Sequence, residues 1–318
     1  MLLSHHIIKA FVVMIQFLVG LLANGIIMIV NGLDLAKQRK LTPLELLLSC
    51  LAISRLCMQS FIAYIHLGVL SVIEVKTIPE GFAMFIFVND MGIWLATWLS
   101  VFYCVKIAPF AHPLFFWLKM RISNMVPWLV LGTLLYAMIT SIFHGKYTWI
   151  FGKELWLSLF SKNVTFQIQE TPAFYLVLFS MEFFLPFFIF LIFALILICS
   201  LIRHTKQVRN TARGSKDCST YIKSLLSILS FLVLFLSHYM AAAVLSSQLF
   251  TLSDFFFHFS IFVIGSYPSG HSIILILGNY KLKQNVKKLF FHNLEARSLW
   301  KSKSLQNEEE QSPEKDRI

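Results

Sequence analysis

Long apolar stretches separated by short polar connectors occur seven times along the chain. A helix needs about 20 apolar residues to cross the hydrocarbon of a bilayer. We therefore expect an all-α membrane protein, a seven-transmembrane helix bundle. The predicted spans are Ile7 to Val30, Leu44 to about Ile73, Phe82 to Val105, Pro127 to Phe143, about Pro172 to Leu201, Ser224 to Leu249 and Phe255 to Leu277. The fourth is the shortest, and the fifth is long enough to project beyond the bilayer.

The composition supports a membrane location for the whole bundle. Of the 318 residues, 57% are hydrophobic and 14% are charged, whereas a soluble domain has about 45–50% apolar and about 25% charged residues. This excludes an ordinary soluble globular protein and a disordered chain. The five cysteines fall in or beside apolar stretches, so we expect no disulfide framework.

The basic residues are distributed unevenly between the two sets of connectors. The connectors after the first, third, fifth and seventh spans, with the C-terminal tail, hold 21 Lys and Arg residues, and the other side holds five. Cytoplasmic loops carry the excess of Lys and Arg. The N-terminus is therefore predicted outside the cell and the C-terminus in the cytosol. The net charge of +11 then indicates orientation, so the expected partner is the lipid bilayer and not nucleic acid.

Two features lie outside the spans. Asn163, with Val164 and Thr165, forms an N-glycosylation sequon on the predicted outer side. The chain after the seventh span begins basic and amphipathic and becomes acidic at Glu308 to Glu310. We expect a receptor domain over residues 1–290 and a disordered cytosolic tail over residues 291–318.

Three polar residues lie in or near the inner half of the predicted spans. Asn24, Arg55 and His271 lie roughly 12, 16 and 10 Å from the cytosolic ends of their helices, at about 1.5 Å per residue. Ionisable groups inside a membrane are costly and by default mark function. We expect the three to share one interhelical hydrogen-bond network. Whether it acts only as structural glue or also as a switch stays open at this point.

Four ionisable residues fall in the outer half of the spans, namely His66, Asp90, Glu182 and His238. Phe85 and Asn89 lie near Asp90 on the third span. Apolar walls with a few placed polar groups are typical of a small-molecule pocket. We therefore predict a ligand cavity there, with a purely structural role as the alternative for each histidine.

Enzyme motifs are nearly absent from the sequence. It contains no His-Glu-x-x-His, no Cys-x-x-Cys and no phosphate-binding glycine loop. We expect neither catalysis nor a cofactor nor a metal site.

Seven spans with an outer N-terminus suggest a G-protein-coupled receptor, but the marks of the rhodopsin class are missing. The third span ends without Asp-Arg-Tyr, and the seventh has no Asn-Pro-x-x-Tyr. The motifs present instead resemble those of the bitter taste receptors, the taste receptor type 2 family. They are Asn24-Gly25-Ile26-Ile27, Leu48 to Arg55, Trp94 to Leu99 with Phe102 to Ala108, Leu197 to Leu201, and Tyr267 to Ser272 with Leu277-Gly278-Asn279.

The resemblance covers about residues 1–290 and implies a function. Such receptors are multi-pass plasma membrane proteins. They bind bitter small molecules in an outer transmembrane cavity and activate a heterotrimeric G protein of the gustducin type, leading to phospholipase C and calcium signalling.

The resemblance also assigns residues to roles. It places Asn89, Asp90 and Ile261 at ligand-contacting positions, and it places Tyr103, Lys106, Ser200, Leu201 and Ser272 in motifs of the switch and inner network. Homo- or hetero-oligomerisation stays open.

Two alternatives share some of these features. A vomeronasal type 1-like pheromone receptor would also have seven spans without enzyme motifs, but we expect it to differ in the second and seventh spans. A membrane transporter would need a continuous polar path or internal repeats, and the sequence shows neither.

Overall fold

The protein is described here from a computed structural model that covers residues 2–69, 78–108, 113–160, 173–210, 215–246 and 255–288. Within these ranges the regular structure is entirely helical. The seven long helices are α1 (Leu2–Gln38), α2 (Pro43–Val69), α3 (Ile78–Ile107), α4 (Pro113–Phe160), α5 (Ala173–Asn210), α6 (Ser215–Ser246) and α7 (Phe255–Gly278). A short helix over residues 280–288, here α8, follows α7 directly.

The prediction of seven membrane-length helices is confirmed, since each helix contains a segment long and apolar enough to cross a membrane. The prediction that the fourth span is the shortest was wrong, because α4 is the longest helix, with 48 residues. Its apolar segment runs from Phe115 to Phe143 and passes through Pro127. Pro127 suggested a helix start, but proline is tolerated inside membrane helices when neighbouring groups satisfy the freed carbonyl.

Six of the helices, α1, α2, α3, α5, α6 and α7, form a closed ring. Contacts run from α1 to α2, α2 to α3, α3 to α5, α5 to α6, α6 to α7 and α7 back to α1. Helix α4 packs on the outside of α3 and α2. We call the end where α1, α3, α5 and α7 finish the basic end, because Lys37, Lys106, Arg203 and Lys281 lie there.

Helix α3 is apolar around most of its circumference, as expected for a helix inside a bundle. Leu95, Leu99, Cys104 and Val105 in its second half are fully buried. The outward faces of the other helices carry exposed Leu, Ile, Met, Phe and Trp side chains, and Trp128 is 72% exposed. Apolar side chains on the outside and polar groups inside are the distribution that a lipid environment favours.

Candidate functional site

A hydrogen-bond network joins α1, α2 and α7 near the middle of the bundle. Arg55 of α2 donates through Nη2 to Nδ1 of His271 and through Nη1 to Oγ of Ser272, at 3.0 Å. The Ser272 hydroxyl is also 2.6 Å from Oδ1 of Asn24, whose amide nitrogen donates to the Gly20 carbonyl. All four side chains are buried, with Arg55 2% exposed. The structure therefore brings Asn24, Arg55 and His271 together through Ser272.

A second polar layer lies one helical turn further from the basic end. Gln59 of α2 donates to the hydroxyl of Ser269 on α7. Gln16 of α1 donates to the Ser266 hydroxyl at 2.6 Å and to the Phe262 carbonyl at 2.9 Å, both on α7. A Cβ added at Gly20 would overlap the Gln59 side chain, so glycine at this position allows α1 and α2 to approach each other.

A third polar layer joins α1, α2 and α8 at the basic end. Thr42 and Glu45 cap α2 reciprocally, because each backbone N–H bonds to the other's side chain at 2.8 and 3.3 Å. Glu45 also binds Lys281 of α8, whose Nζ is 3.0 Å from Oδ2 of Asp34 on α1. The hydrogen bond to Glu45, followed by that to Asp34, raises the pKa of Lys281 above its ordinary value. Nearby, Asn31 donates to the Ser49 hydroxyl at 2.9 Å.

The interface of α5 and α6 is built differently, from aromatic rings. Phe190 and Phe235 are fully buried and stack with ring centroids 3.7 Å apart. Tyr239 packs on Phe183 and Phe187 at 4.8 and 4.9 Å. Phe231 of α6 stacks on the His271 ring at 3.5 Å. His271 therefore belongs both to the aromatic interface and to the Arg55 network.

A small cavity lies between α2, α3, α6 and α7, directly beside Arg55. Its volume is about 20 Å³, enough for about one water molecule. The His238 ring stacks on Tyr267 across it at 4.5 Å, and the Arg55 guanidinium carbon is 5.9 Å from the Tyr267 ring centroid. The lining residues are Ser54, Arg55, Met58, Val88, Asn89, Gly92, Ile93, His238, Tyr267 and Pro268.

Four of the predicted ligand residues divide into two groups. Asn89 and His238 line the cavity. Asp90 instead accepts a hydrogen bond from the Thr140 hydroxyl of α4 at 2.9 Å, and Glu182 of α5 interacts electrostatically with Tyr136 of α4.

Three further ligand predictions lie away from the cavity or outside the described side chains. The Phe85 ring packs on Phe61 at 5.2 Å. Ile261 is half-buried on α7 and does not line the cavity. His66 lies in α2, but its side chain is outside the described residues, as is the whole of Asn163.

The remaining predicted switch residues lie near the basic end of α3 and α5, apart from the Arg55 network. Leu201 is buried with Cys104 and Ala108, and Tyr103 packs against the same cluster. Ser200 is 8% exposed. Lys106 is exposed, with its ammonium 5.9 Å from the Phe102 ring centroid.

Several polar residues of α1, α2, α7 and α8 were missed from the sequence. Glu45 had a signal, since Thr42 three residues earlier completes a capping box. Gln59 also had one, because it lies four residues after Arg55 and thus on the same helix face. Lys281 and Ser266 had none, because only the fold shows which helices face them. Within the described ranges, no group of three or more His, Cys, Asp or Glu could hold a metal ion.

Comparisons with known proteins match nearly the whole receptor region. The family model described as taste receptor protein (TAS2R) matches residues 1–294. Taste receptor type 2 member 1 of Pongo pygmaeus is 51% identical over 295 residues, which is 92% of this chain and 99% of that protein. Member 1 of Pan paniscus is 52% identical with the same coverage. Member 119 of Rattus norvegicus is 46% identical over 90% of this chain and 86% of that protein.

Proposed function

The chain belongs to the taste receptor type 2 family of bitter taste receptors, and from this premise we propose that it binds bitter small molecules and activates a gustducin-type heterotrimeric G protein. It is a multi-pass plasma membrane receptor of the G-protein-coupled class, not an enzyme. Phospholipase C and calcium release follow in the proposed pathway. Family membership favours this function over the vomeronasal and transporter alternatives.

The observation that carries the proposal is that one side chain joins the cavity to the polar network. Arg55 lines the cavity with Asn89 and His238, and its other face holds His271 and Ser272 of α7. An agonist that binds in this cavity therefore contacts the residue that links α2 to α7. Phe231 of α6 stacks on His271, so the same displacement reaches α6.

Because the cavity is small, activation in this proposal requires the helices to change their arrangement. Pockets for drug-sized ligands measure about 300–1,000 Å³, far more than the space beside Arg55. The agonist site extends from Asn89 toward Phe85, and binding widens the gap between α3, α6 and α7. Moving an equilibrium from 1:99 to 99:1 takes about 5.5 kcal/mol of differential binding, out of about 8 kcal/mol for a micromolar ligand. A weak agonist therefore activates only partially.

The roles of the other predicted ligand residues form part of the proposal. Asn89 and His238 contact the agonist directly, since they line the cavity. Asp90 sets the position of α3 against α4 through Thr140 and favours ligands with donors or a cation once the gap widens. Glu182 has the same preference, and His66 and Ile261 stay predicted ligand contacts from the sequence.

At the basic end we propose that the G-protein α-subunit docks in the cytosol, with the N-terminus outside the cell. Helix α5 continues to Asn210, beyond its apolar segment ending at Arg203. Lys37, Lys106 and Arg203 are exposed there. Anionic lipid is the competing partner for these residues, because each basic group near such a surface gains about 1 kcal/mol.

Calcium imaging of cells that express the full chain with a chimeric gustducin-type α-subunit tests the proposal. A panel of bitter compounds should give concentration-dependent calcium signals that need both proteins. Asn89→Ala should raise the half-maximal concentration about tenfold at equal surface expression, equivalent to about 1.4 kcal/mol. The matched control is Asn124→Ala, since Asn124 is exposed on α4, and it should respond normally.

A signal that persists without the α-subunit would contradict the coupling. If Asn89→Ala and Asn124→Ala responded identically to every active compound, the cavity beside Arg55 would not be part of the agonist site.

A further inference from the structure

The outer side of α4 carries a stripe of aromatic, basic and apolar side chains. Trp117, Arg121, Trp128 and Leu131 follow one another at intervals of four, seven and three residues, so they share one side of the helix. All four are exposed, and Trp128 is the most exposed of the three apolar ones. The opposite side of α4 packs on α3 and α2. The stripe therefore faces away from the bundle, where lipid surrounds it.

The end of the stripe nearer the basic end holds a positioned guanidinium. The Arg121 guanidinium carbon lies 5.1 Å from the centroid of the Trp117 ring, a distance at which cation–π attraction favours one placement of the group. Within the described ranges Arg121 forms no ion pair, and α4 has no acidic residue before Glu154. The planar fork of N–H donors on arginine matches the geometry of a phosphate group. Arg121 is therefore suited to bind a phosphate at the surface of the bundle.

The length of the stripe matches one leaflet of a bilayer. Arg121 and Leu131 are ten residues apart, which is about 15 Å along a helix and half of the hydrocarbon core of about 30 Å. Tryptophan is enriched at the membrane interface, which agrees with Trp117 beside the guanidinium. Trp128 lies seven residues beyond Arg121, about 10 Å deeper. The stripe thus offers contacts for the headgroup and for an acyl chain of the same lipid molecule.

We propose that this stripe binds one anionic phospholipid of the leaflet at the basic end. The phosphate accepts hydrogen bonds from Arg121, and an acyl chain lies along Trp128 and Leu131. A net negative headgroup is favoured over a zwitterionic one, because the ammonium of the latter would lie close to a guanidinium that no acidic residue of the first ten turns of α4 neutralises. The site lies outside the ring of helices, so it depends on neither the agonist nor the G protein.

Quenching of tryptophan fluorescence by brominated lipids tests the proposal, because bromine on an acyl chain quenches the indole rings that it contacts. The full chain is reconstituted in phosphatidylcholine vesicles with increasing fractions of brominated phosphatidylglycerol or brominated phosphatidylcholine. We expect half-maximal quenching at an about fivefold lower mole fraction of the phosphatidylglycerol, the factor for one basic group at the membrane surface. Trp128→Phe should remove this excess quenching, since Trp128 is the residue that reports on the chain.

Two basic residues of α4 provide a matched pair of variants. Arg121 and Lys119 are both exposed and carry the same charge, but they lie about 160° apart around the helix. Neither side chain forms an ion pair with a described residue, so both variants should fold. Arg121→Gln should abolish the preference for phosphatidylglycerol, and Lys119→Gln should retain it.

Three outcomes would overturn the proposal. Equal half-maximal fractions of the two brominated lipids in the wild type would mean that the stripe does not select an anionic headgroup. An equal loss of preference in Arg121→Gln and Lys119→Gln would make the effect a general attraction between surface charges. Excess quenching that persists in Trp128→Phe would place the lipid elsewhere on the molecule.

Discussion

Two interfaces of the same bundle are stabilised by different kinds of contact, one by hydrogen bonds and the other by aromatic rings. The first, which we call the polar seam, joins α1, α2 and α7 through Gln16, Asn24, Arg55, Gln59, Ser269, His271 and Ser272. The second, which we call the aromatic seam, joins α5 and α6 through Phe183, Phe187, Phe190, Phe231, Phe235 and Tyr239. Hydrogen bonds fix helix register because they require particular atoms, whereas ring contacts tolerate small sliding.

From this difference we propose that the two seams have different tasks in activation. The polar seam keeps α1, α2 and α7 in one relative position, while the aromatic seam allows α6 to shift against α5. His271 is the one residue of the polar seam whose ring also stacks on Phe231 of the aromatic seam. A shift of α6 therefore acts first on the Arg55–His271 bond.

The largest effect on stability should come from removing volume in the aromatic seam. Phe235 is fully buried and its ring contacts Phe190, Phe187 and Tyr239. Phe235→Ala should lower the free energy of unfolding by about 3–5 kcal/mol, because a buried cavity replaces the ring. Denaturation of the purified receptor in detergent measures this change in the free energy of unfolding.

The control for this prediction is Phe116→Ala, since Phe116 on α4 is 65% exposed. It should change the free energy of unfolding by less than about 0.5 kcal/mol. Similar losses in the two variants would show that the aromatic seam is no better packed than the lipid-facing surface.

A smaller effect should follow from removing the hydroxyl at the centre of the polar seam. Ser272 joins Arg55 of α2 to Asn24 of α1. Ser272→Ala should lower the free energy of unfolding by about 1–2 kcal/mol, since interhelical hydrogen bonds in membranes average about 0.6 kcal/mol and two buried polar groups lose a partner. The same denaturation assay applies.

Ser237 of α6 is the matched residue, because its hydroxyl bonds to the Leu234 carbonyl of its own helix at 2.8 Å. Ser237→Ala should cost less than about 0.5 kcal/mol. The contrast between the seams fails if Ser272→Ala is as harmless as Ser237→Ala.

The two seams also differ in how far the sequence predicts them. Asn24, Arg55 and His271 stand out because polar residues are rare in apolar spans, so their network could be predicted from depth alone. The partners Ser272 and Ser269 gave a weaker signal, since serine is common in membrane helices. The aromatic seam gave almost no signal in the sequence. The chain has 32 phenylalanines, and the sequence does not show which of them face lipid and which lie in the core.

Helix packing also decides what the outer residues do, and the sequence does not show it. Asp90 and Asn89 are neighbours on α3 at nearly the same depth, yet Asn89 lines the cavity and Asp90 bonds to α4. A rotation of α3 by one residue would exchange their roles. Depth along a helix follows from residue counting, but direction around it depends on the neighbouring helices.

The smallest effect should come from the ion pairs that close the polar seam at the basic end. The Lys281 side chain is 48% exposed, and it binds Glu45 of α2 and Asp34 of α1. Lys281→Gln should lower the free energy of unfolding by about 0.2–1 kcal/mol, the range of exposed pairs. The difference from the wild type should shrink in 1 M salt, where the Debye length falls to about 3 Å.

The pH dependence of this difference has a definite sign. The bonds to Glu45 and Asp34 raise the pKa of Lys281 above its ordinary value of 10.5, so the stabilising pairs are complete below that pH. They are lost as the pH rises through the higher folded-state pKa. The difference between wild type and Lys281→Gln should therefore stay constant from about pH 7 to 9 and vanish above the folded-state value. Lys283→Gln, at an exposed position of the same helix, removes the same formal charge, and an equal loss of stability there would make the effect one of net charge and not of the polar seam.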